Sequence, residues 1–188
     1  MKKIYKKGFT RTNFLLKNLR GFTLIELLIV IALLGALAVG LLAALDPFEQ
    51  LKKGTDTGIR NTVSEFQGAV IRYYAIKNRL PWCDEDGNCQ TITSAKLGSD
   101  TNLVAAITDI IAAGELKSDF TTLATTTKLN EIYVTADNSN LIVNVCYKPT
   151  SKSFQVDPNT KFDIKGDDSG ANSCKSQQGS DSCYWCVK

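Results

Sequence analysis

The sequence predicts an α+β protein, in which a long N-terminal helix is followed by a small antiparallel sheet. Three observations support this class. Residues 22–45 form an apolar run with one charge, residues 59–74 repeat apolar side chains at helical spacing, and residues 131–148 hold two strand-like segments around a turn. A chain of 188 residues suits one domain with an appendage.

Charge is distributed unevenly along the chain. Residues 1–21 hold seven basic residues and no acidic one, whereas acidic residues outnumber basic ones in the remainder. The net charge of +3 therefore does not indicate nucleic-acid binding, and we predict none. The chain has no histidine, which excludes Ser-His-Asp and Cys-His catalysis and His-ligated metal sites. We accordingly expect no enzyme, no cofactor and no metal centre.

The apolar run 22–45 is long enough to cross a membrane. As a helix it would extend about 36 Å, against a hydrocarbon thickness of about 30 Å. It also exceeds the apolar region of a removable secretory signal, which reaches roughly 15 residues. The basic segment before it should stay in the cytoplasm, so the remainder should lie outside a single-pass cell membrane. A plain signal anchor would have the same hydropathy.

Glu26 is the one charge in this apolar run. An unpaired carboxylate in a membrane helix costs on the order of 2–3 kcal/mol or more, which marks it as a functional residue. Cleavage after Gly21 would create a new amine on Phe22. In a staggered bundle of identical helices, Glu26 of one subunit could pair with the Phe22 amine of the next, which would also set their register.

The run from Gly21 to Glu26, GFTLIE, resembles the processing site of type IV pilins and of the pseudopilins of type II secretion. The resemblance implies that a prepilin peptidase cuts between Gly21 and Phe22 and that Phe22 is then N-methylated. It also implies that Glu26 guides copies of the chain into a helical filament with the help of a membrane assembly platform. A second segment, AVIRYYAIKNRLP, resembles the end of the first helix in these proteins, so the resemblance covers about residues 20–82.

A second helical segment follows the apolar run. Asp46 is a candidate cap and Pro47 is tolerated in a first turn. An apolar stripe then predicts an amphipathic helix that ends before Pro81. The stripe consists of Ile59, Val63, Phe66, Val70 and Tyr74.

All the cysteines follow the apolar run, on the side that we expect to be oxidising. They are Cys83, Cys89, Cys146, Cys174, Cys183 and Cys186. An even number there predicts structural disulfides, with 15 pairings open. A local bridge between Cys83 and Cys89 is reasonable, and Cys146 should meet one of the last three. The Cys183–Cys186 spacing also suits redox or zinc chemistry, which the oxidising compartment disfavours.

The rest of the outer segment mixes one helix with several strands. A helix should begin at residues 100–101 and end near Gly114. Strands are predicted over 131–136 and 141–148, with 154–156 completing a meander and 161–165 a further strand.

Two oxygen-rich loops are weak calcium candidates. Their ligands would be Asp84, Asp86 and Asn88 in one loop, and Asp167 and Asp168 in the other. Neither has the spacing of an EF-hand, so solvated turns are the favoured interpretation.

These patterns divide the chain into four parts: a removable leader (1–21), a filament-core helix (22–45), the outer half of the helix (46–81) and a disulfide-stapled head (82–188). The predicted function is a structural subunit of a type IV pilus-like filament. One alternative is a pseudopilin that acts as an export piston. Another is a membrane-anchored binding domain whose leader is never cut.

Overall fold

The computed structural model describes residues 21–44, 46–169 and 183–188. The chain divides into two compact units, with the boundary between Leu45 and Asp46. The first unit contains helix α1, Leu24–Ala44. The second contains helix α2, Pro47–Lys77, and the sheet.

Helix α2 begins and ends as its sequence predicts. The Asp46 side chain accepts a hydrogen bond from the Glu49 amide at 3.3 Å, and Pro47 occupies the first turn. At the other end Asn78 takes a left-handed conformation with φ of 54°, and its amide donates to the Tyr74 carbonyl at 2.7 Å. This cap ends the helix three residues before Pro81.

One face of α2 forms the centre of the hydrophobic core. Ile59, Val63, Phe66 and Val70 are all buried, as the stripe predicts. At the end of the stripe, Tyr73 is buried and Tyr74 is only partly buried. These side chains pack with the apolar residues of the sheet, so α2 and the head share a single core.

Within the described residues the sheet has five antiparallel strands, in the order β1-β2-β3-β5-β4. They are β1, Ala95–Lys96; β2, Ile132–Asp137; β3, Ile142–Tyr147; β4, Thr160–Phe162; and β5, Tyr184–Val187. The hairpin of β2 and β3 matches the predicted strands to within a residue at each end. The α+β class is confirmed, with an apolar N-terminal helix and a small antiparallel sheet.

The predicted meander is wrong at residues 154–156. Helix α6, Lys152–Gln155, takes most of this segment, and the C-terminal strand β5 pairs with β3 instead. The reason lies in α2, because Asp56 and Glu49 accept hydrogen bonds from the amides of residues 150–152 and hold the chain away from the sheet. The strand expected at 161–165 is β4, which ends at Phe162.

The helix predicted after Asp100 is α3, Thr101–Ala112. The Asp100 carboxylate accepts from the amides of Asn102 and Leu103, and Gly114 follows the helix with φ of 80°. Two short helices, α4 (Phe120–Ala124) and α5 (Thr126–Leu129), come next, in a segment for which the sequence predicts no element.

Polar side chains of α2 hold the segment after β3. The Asp56 carboxylate is fully buried and accepts from both the amide and the hydroxyl of Thr150 and of Ser151, at 2.7–3.1 Å. One turn later, the Arg60 guanidinium donates to Asp157 at 2.8 Å and lies 3.9 Å from the ring centroid of Phe154. These contacts join α2 to a segment more than 90 residues away in sequence.

Two disulfides of the head have both of their cysteines among the described residues. Cys83 bonds Cys89 across a six-residue separation, and Cys146 on β3 bonds Cys186 on β5 across 40 residues. Cys183 also takes part in a disulfide, and Cys174 lies outside the described residues.

Candidate assembly site

The candidate assembly site lies at the start of α1. Thr23 precedes the helix, and both its amide and its hydroxyl donate to Oε2 of Glu26 at 2.8 Å. In return the Glu26 amide donates to the Thr23 hydroxyl oxygen at 3.3 Å. This reciprocal arrangement is a capping box, which satisfies amides that would otherwise be unpaired in the first turn.

The capping box occupies one oxygen of the Glu26 carboxylate. Both bonds from Thr23 fall on Oε2, which leaves the second oxygen, Oε1, available to a further donor. The negative charge near a helix N-terminus is also favoured by the helix dipole. Glu26 is therefore held in a defined position by its own helix while it keeps the capacity to accept from another molecule.

Beyond this first turn α1 presents apolar side chains on every side. Every residue of α1 whose burial is described is exposed, and Phe22 just before the helix is 86% exposed. Of the helices in the described part of the chain, α1 alone is long and apolar enough to cross a membrane, over Leu24–Leu42. At about 1.5 Å per residue the whole of α1 extends about 31 Å, close to the thickness of a bilayer core.

Gly21 and Phe22, the residues expected to flank the cleavage, are both exposed and precede the helix. A peptide bond in such a non-helical segment can fit an extended protease cleft, which a bond inside α1 could not. The basic leader before Gly21 lies outside the described residues.

The oxygen-rich loop at residues 84–88 is organised by its own side chains. Asp84 accepts from the amide and the side-chain nitrogen of Asn88 at 2.8 and 3.0 Å, and these bonds lower the pKa of the Asp84 carboxyl. The loop is closed by the Cys83–Cys89 disulfide, and Asp86 lies exposed within it.

The second oxygen-rich loop is similarly engaged. Asp168 forms an ion pair with Lys161 at 2.5 Å, and the Asp167 amide donates to Asp163 at 2.8 Å. Within residues 21–44, 46–169 and 183–188 no three His, Cys, Asp or Glu residues are grouped as a metal would require.

Sequence reasoning overlooked Thr23. Its role was readable in the pattern Thr-x-x-Glu, which is the capping-box signature ahead of an apolar run. The pattern also gives Glu26 a second role. Its carboxylate caps the start of α1 whether or not it also pairs with a neighbouring subunit.

The fold and this site define a class of protein: a small α+β head with an apolar, uncovered N-terminal helix that carries a capped carboxylate in its first turn. Residues 16–42 match the family model of the prokaryotic N-terminal methylation motif, the signature of type IV prepilins and pseudopilins. Over this segment the chain is similar to the type IV pilins and pseudopilins. No curated protein and no solved structure matches the chain.

The signature has consequences for processing and location. Prepilin-type motifs are processed by a prepilin peptidase, and their proteins enter pilus or secretion complexes. Together with α1, the motif indicates a membrane-anchored protein. The match ends within α1, so it carries no information about the head.

Proposed function

We propose that this chain is the structural subunit of a type IV pilus-like filament. A prepilin peptidase cuts between Gly21 and Phe22, Phe22 is N-methylated, and copies of α1 then pack side by side in the filament core. The observation that carries the proposal is the exposure of all sides of α1 together with the methylation signature over its start. An apolar helix of this kind needs either lipid or other helices around it.

The charge of Glu26 makes the packing specific. In an apolar core, the free oxygen Oε1 would accept from the Phe22 amine of the next subunit, while Thr23 continues to hold Oε2. Pairing offsets the cost of placing either charge in an apolar medium, and only one axial offset between helices brings the two groups together. The membrane platform and peptidase are the partners that this route requires.

The mass of the mature protein tests the processing step. The full chain is expressed in a bacterium that has a prepilin peptidase and pilus assembly proteins. We expect loss of residues 1–21 and gain of one methyl group on Phe22. A mature chain that still begins at Met1 would instead favour the membrane-anchored binding domain.

Two substitutions at Glu26 separate the charge pair from the capping box. Glu26→Gln retains a side chain that can accept the Thr23 bonds but removes the charge, whereas Glu26→Ala removes both. If the charge pair drives assembly, both variants insert into the membrane and neither forms filaments. Normal filaments from Glu26→Gln would show that capping alone is needed.

Thr23→Val is the matched control. It removes the hydroxyl of the capping box while it keeps the branched shape and leaves the Glu26 charge in place. We expect this variant to assemble, with a yield close to that of the unmodified chain.

A further inference from the structure

The head carries an exposed apolar groove between α2 and the hairpin of β2 and β3. The groove has a volume of about 470 Å³, and its walls include Ile71 and Tyr74 from α2 and Leu141 and Ile142 from the hairpin. This volume is within the range of about 300–1,000 Å³ that is typical of ligand pockets. It is therefore large enough to receive an aliphatic side chain.

The apolar walls of the groove face solvent. Ile71 is 53% exposed, Leu141 49% and Ile142 46%. Leu141 also has φ of 56°, a conformation that favours glycine or asparagine over a leucine. The hairpin thus places a large apolar side chain at an exposed position where the backbone itself disfavours it.

A protruding apolar residue lies elsewhere on the same head. Leu123 on α4 is 71% exposed. It borders a shallow cavity of about 140 Å³ that α4 forms with Thr62 and Glu65 of α2.

The groove and Leu123 lie on opposite flanks of α2. At about 100° per residue, Thr62 and Glu65 fall on one side of the buried stripe, and Ile71 and Tyr74 fall on the other. A contact between Leu123 of one copy and the groove of another is therefore heterologous. Contacts of this kind do not close on themselves unless a rotation brings the ends together, and they otherwise generate helical filaments.

The charges around the two features are complementary. Acidic Glu65 and Asp119 border the Leu123 cavity together with a single base, Lys117. Among the described residues that line the groove, Lys188 alone is charged, and its ammonium lies 4.5 Å from the ring centroid of Phe162 on β4. The carboxylates beside Leu123 would thus meet one ammonium, that of Lys188, at the groove.

We propose that the occupant of the groove is Leu123 of a second copy of this chain, so that heads join laterally in the filament. This inference rests on the proposed filament function and adds to it a contact between heads, separate from the packing of α1. It assigns the groove to subunit recognition: Leu123 and the apolar walls supply the contact, and Lys188 and the carboxylates beside Leu123 favour one orientation.

Photo-crosslinking in assembled filaments tests this contact. Leu123 is replaced in the full chain by the photo-crosslinking residue p-benzoylphenylalanine, filaments are irradiated, and the crosslinked peptides are identified by mass spectrometry. We expect a covalent dimer joined at the groove, within residues 141–143 or 71–74. A crosslink to another surface, or no dimer from intact filaments, would overturn the inference.

Val156 provides the matched control, because it is also a large apolar residue on the head and is 56% exposed. The same photo-crosslinking residue at position 156 should give no crosslink to the groove. If it gives the same groove crosslink in the same yield, the contact is not specific to α4 and the inference fails.

A substitution measures how much the contact contributes. We expect Leu123→Asp to lower filament yield about tenfold, with processing and urea stability unchanged. An unchanged filament yield would overturn the inference alone. If the unmodified chain forms no filaments in a host with the full assembly apparatus, the proposed function fails and this contact fails with it.

Discussion

Asp56 offers the sharpest test of how the head is held on α2. Its carboxylate is fully buried and accepts from the amides and hydroxyls of Thr150 and Ser151. We expect Asp56→Ala to release this segment from the helix and to lower the free energy of unfolding of the head.

The size of this loss of unfolding free energy depends on which of the donors remain inaccessible to water. Thr150 is exposed, so water can replace Asp56 as the acceptor of its two hydrogen bonds. Ser151 is only 1% exposed, so its amide at 2.8 Å and its hydroxyl at 2.7 Å would both lose their partner without replacement. An unsatisfied buried donor costs about 1–3 kcal/mol, so the two together cost about 2–6 kcal/mol.

Urea unfolding of the full chain in a mild detergent measures this loss. Tryptophan fluorescence is a suitable probe because Trp82 is buried in the core, and Trp185 on β5 contacts the same Arg60 guanidinium as Phe154 of the segment concerned. The control is Glu65→Ala, which removes an exposed carboxylate from the same helix and should change the free energy by no more than about 0.5 kcal/mol.

Unfolding of Asp56→Ala at the same urea concentration as Glu65→Ala would contradict this prediction. Such a result would mean that residues 150–151 find other acceptors and that Asp56 does not hold them. Asp56→Asn should show an intermediate loss, because the amide keeps one accepting oxygen but presents a donor to groups that also donate.

Two further predictions concern the rest of the head. Replacing Cys146 and Cys186 together by serine should cost about 1.7 kcal/mol more than replacing Cys83 and Cys89, because the first bridge closes a loop of 40 residues and the second one of six. Equal urea midpoints for the two double variants would contradict this. Burial raises the pKa of Asp157. Hydrogen bonds from the Asn159 amide and the Arg60 guanidinium outweigh this effect and hold the pKa of Asp157 below the ordinary value of 3.8. The ionised form therefore contributes stability above about pH 4 that disappears as the pH falls through the lowered pKa, and Asp157→Asn should flatten the dependence of the urea midpoint between pH 5 and pH 3.

Glu26 illustrates how far a local pattern carries functional information. An acidic residue inside an apolar run is visible without any structure, and so is the glycine-phenylalanine pair ahead of it. The family match over residues 16–42 agrees with that interpretation. The structure adds that the Thr23 bonds use only one of the carboxylate oxygens, which makes the capping and pairing roles of Glu26 compatible.

The segment after β3 illustrates where local patterns fail. Residues 154–156 have strand-forming composition. Helix α6 nevertheless forms there because side chains of α2 accept hydrogen bonds from the amides of residues 150–152. The strand that replaces them, β5, comes from the end of the chain and pairs with β3 across 40 residues. No short window of sequence contains both partners of these contacts.

The amino-acid sequence by itself determined the apolar α1, the capped start of α2, the buried stripe and the β2–β3 hairpin. Each of these depends on side chains within a few residues of one another, so periodicity and turn chemistry are sufficient to specify them. The strand order, the placement of α6 and the positions of the groove and Leu123 on opposite flanks of α2 were decided only by tertiary structure. These depend on which distant surfaces bury one another, and that choice minimises the free energy of the whole core and not of any one segment.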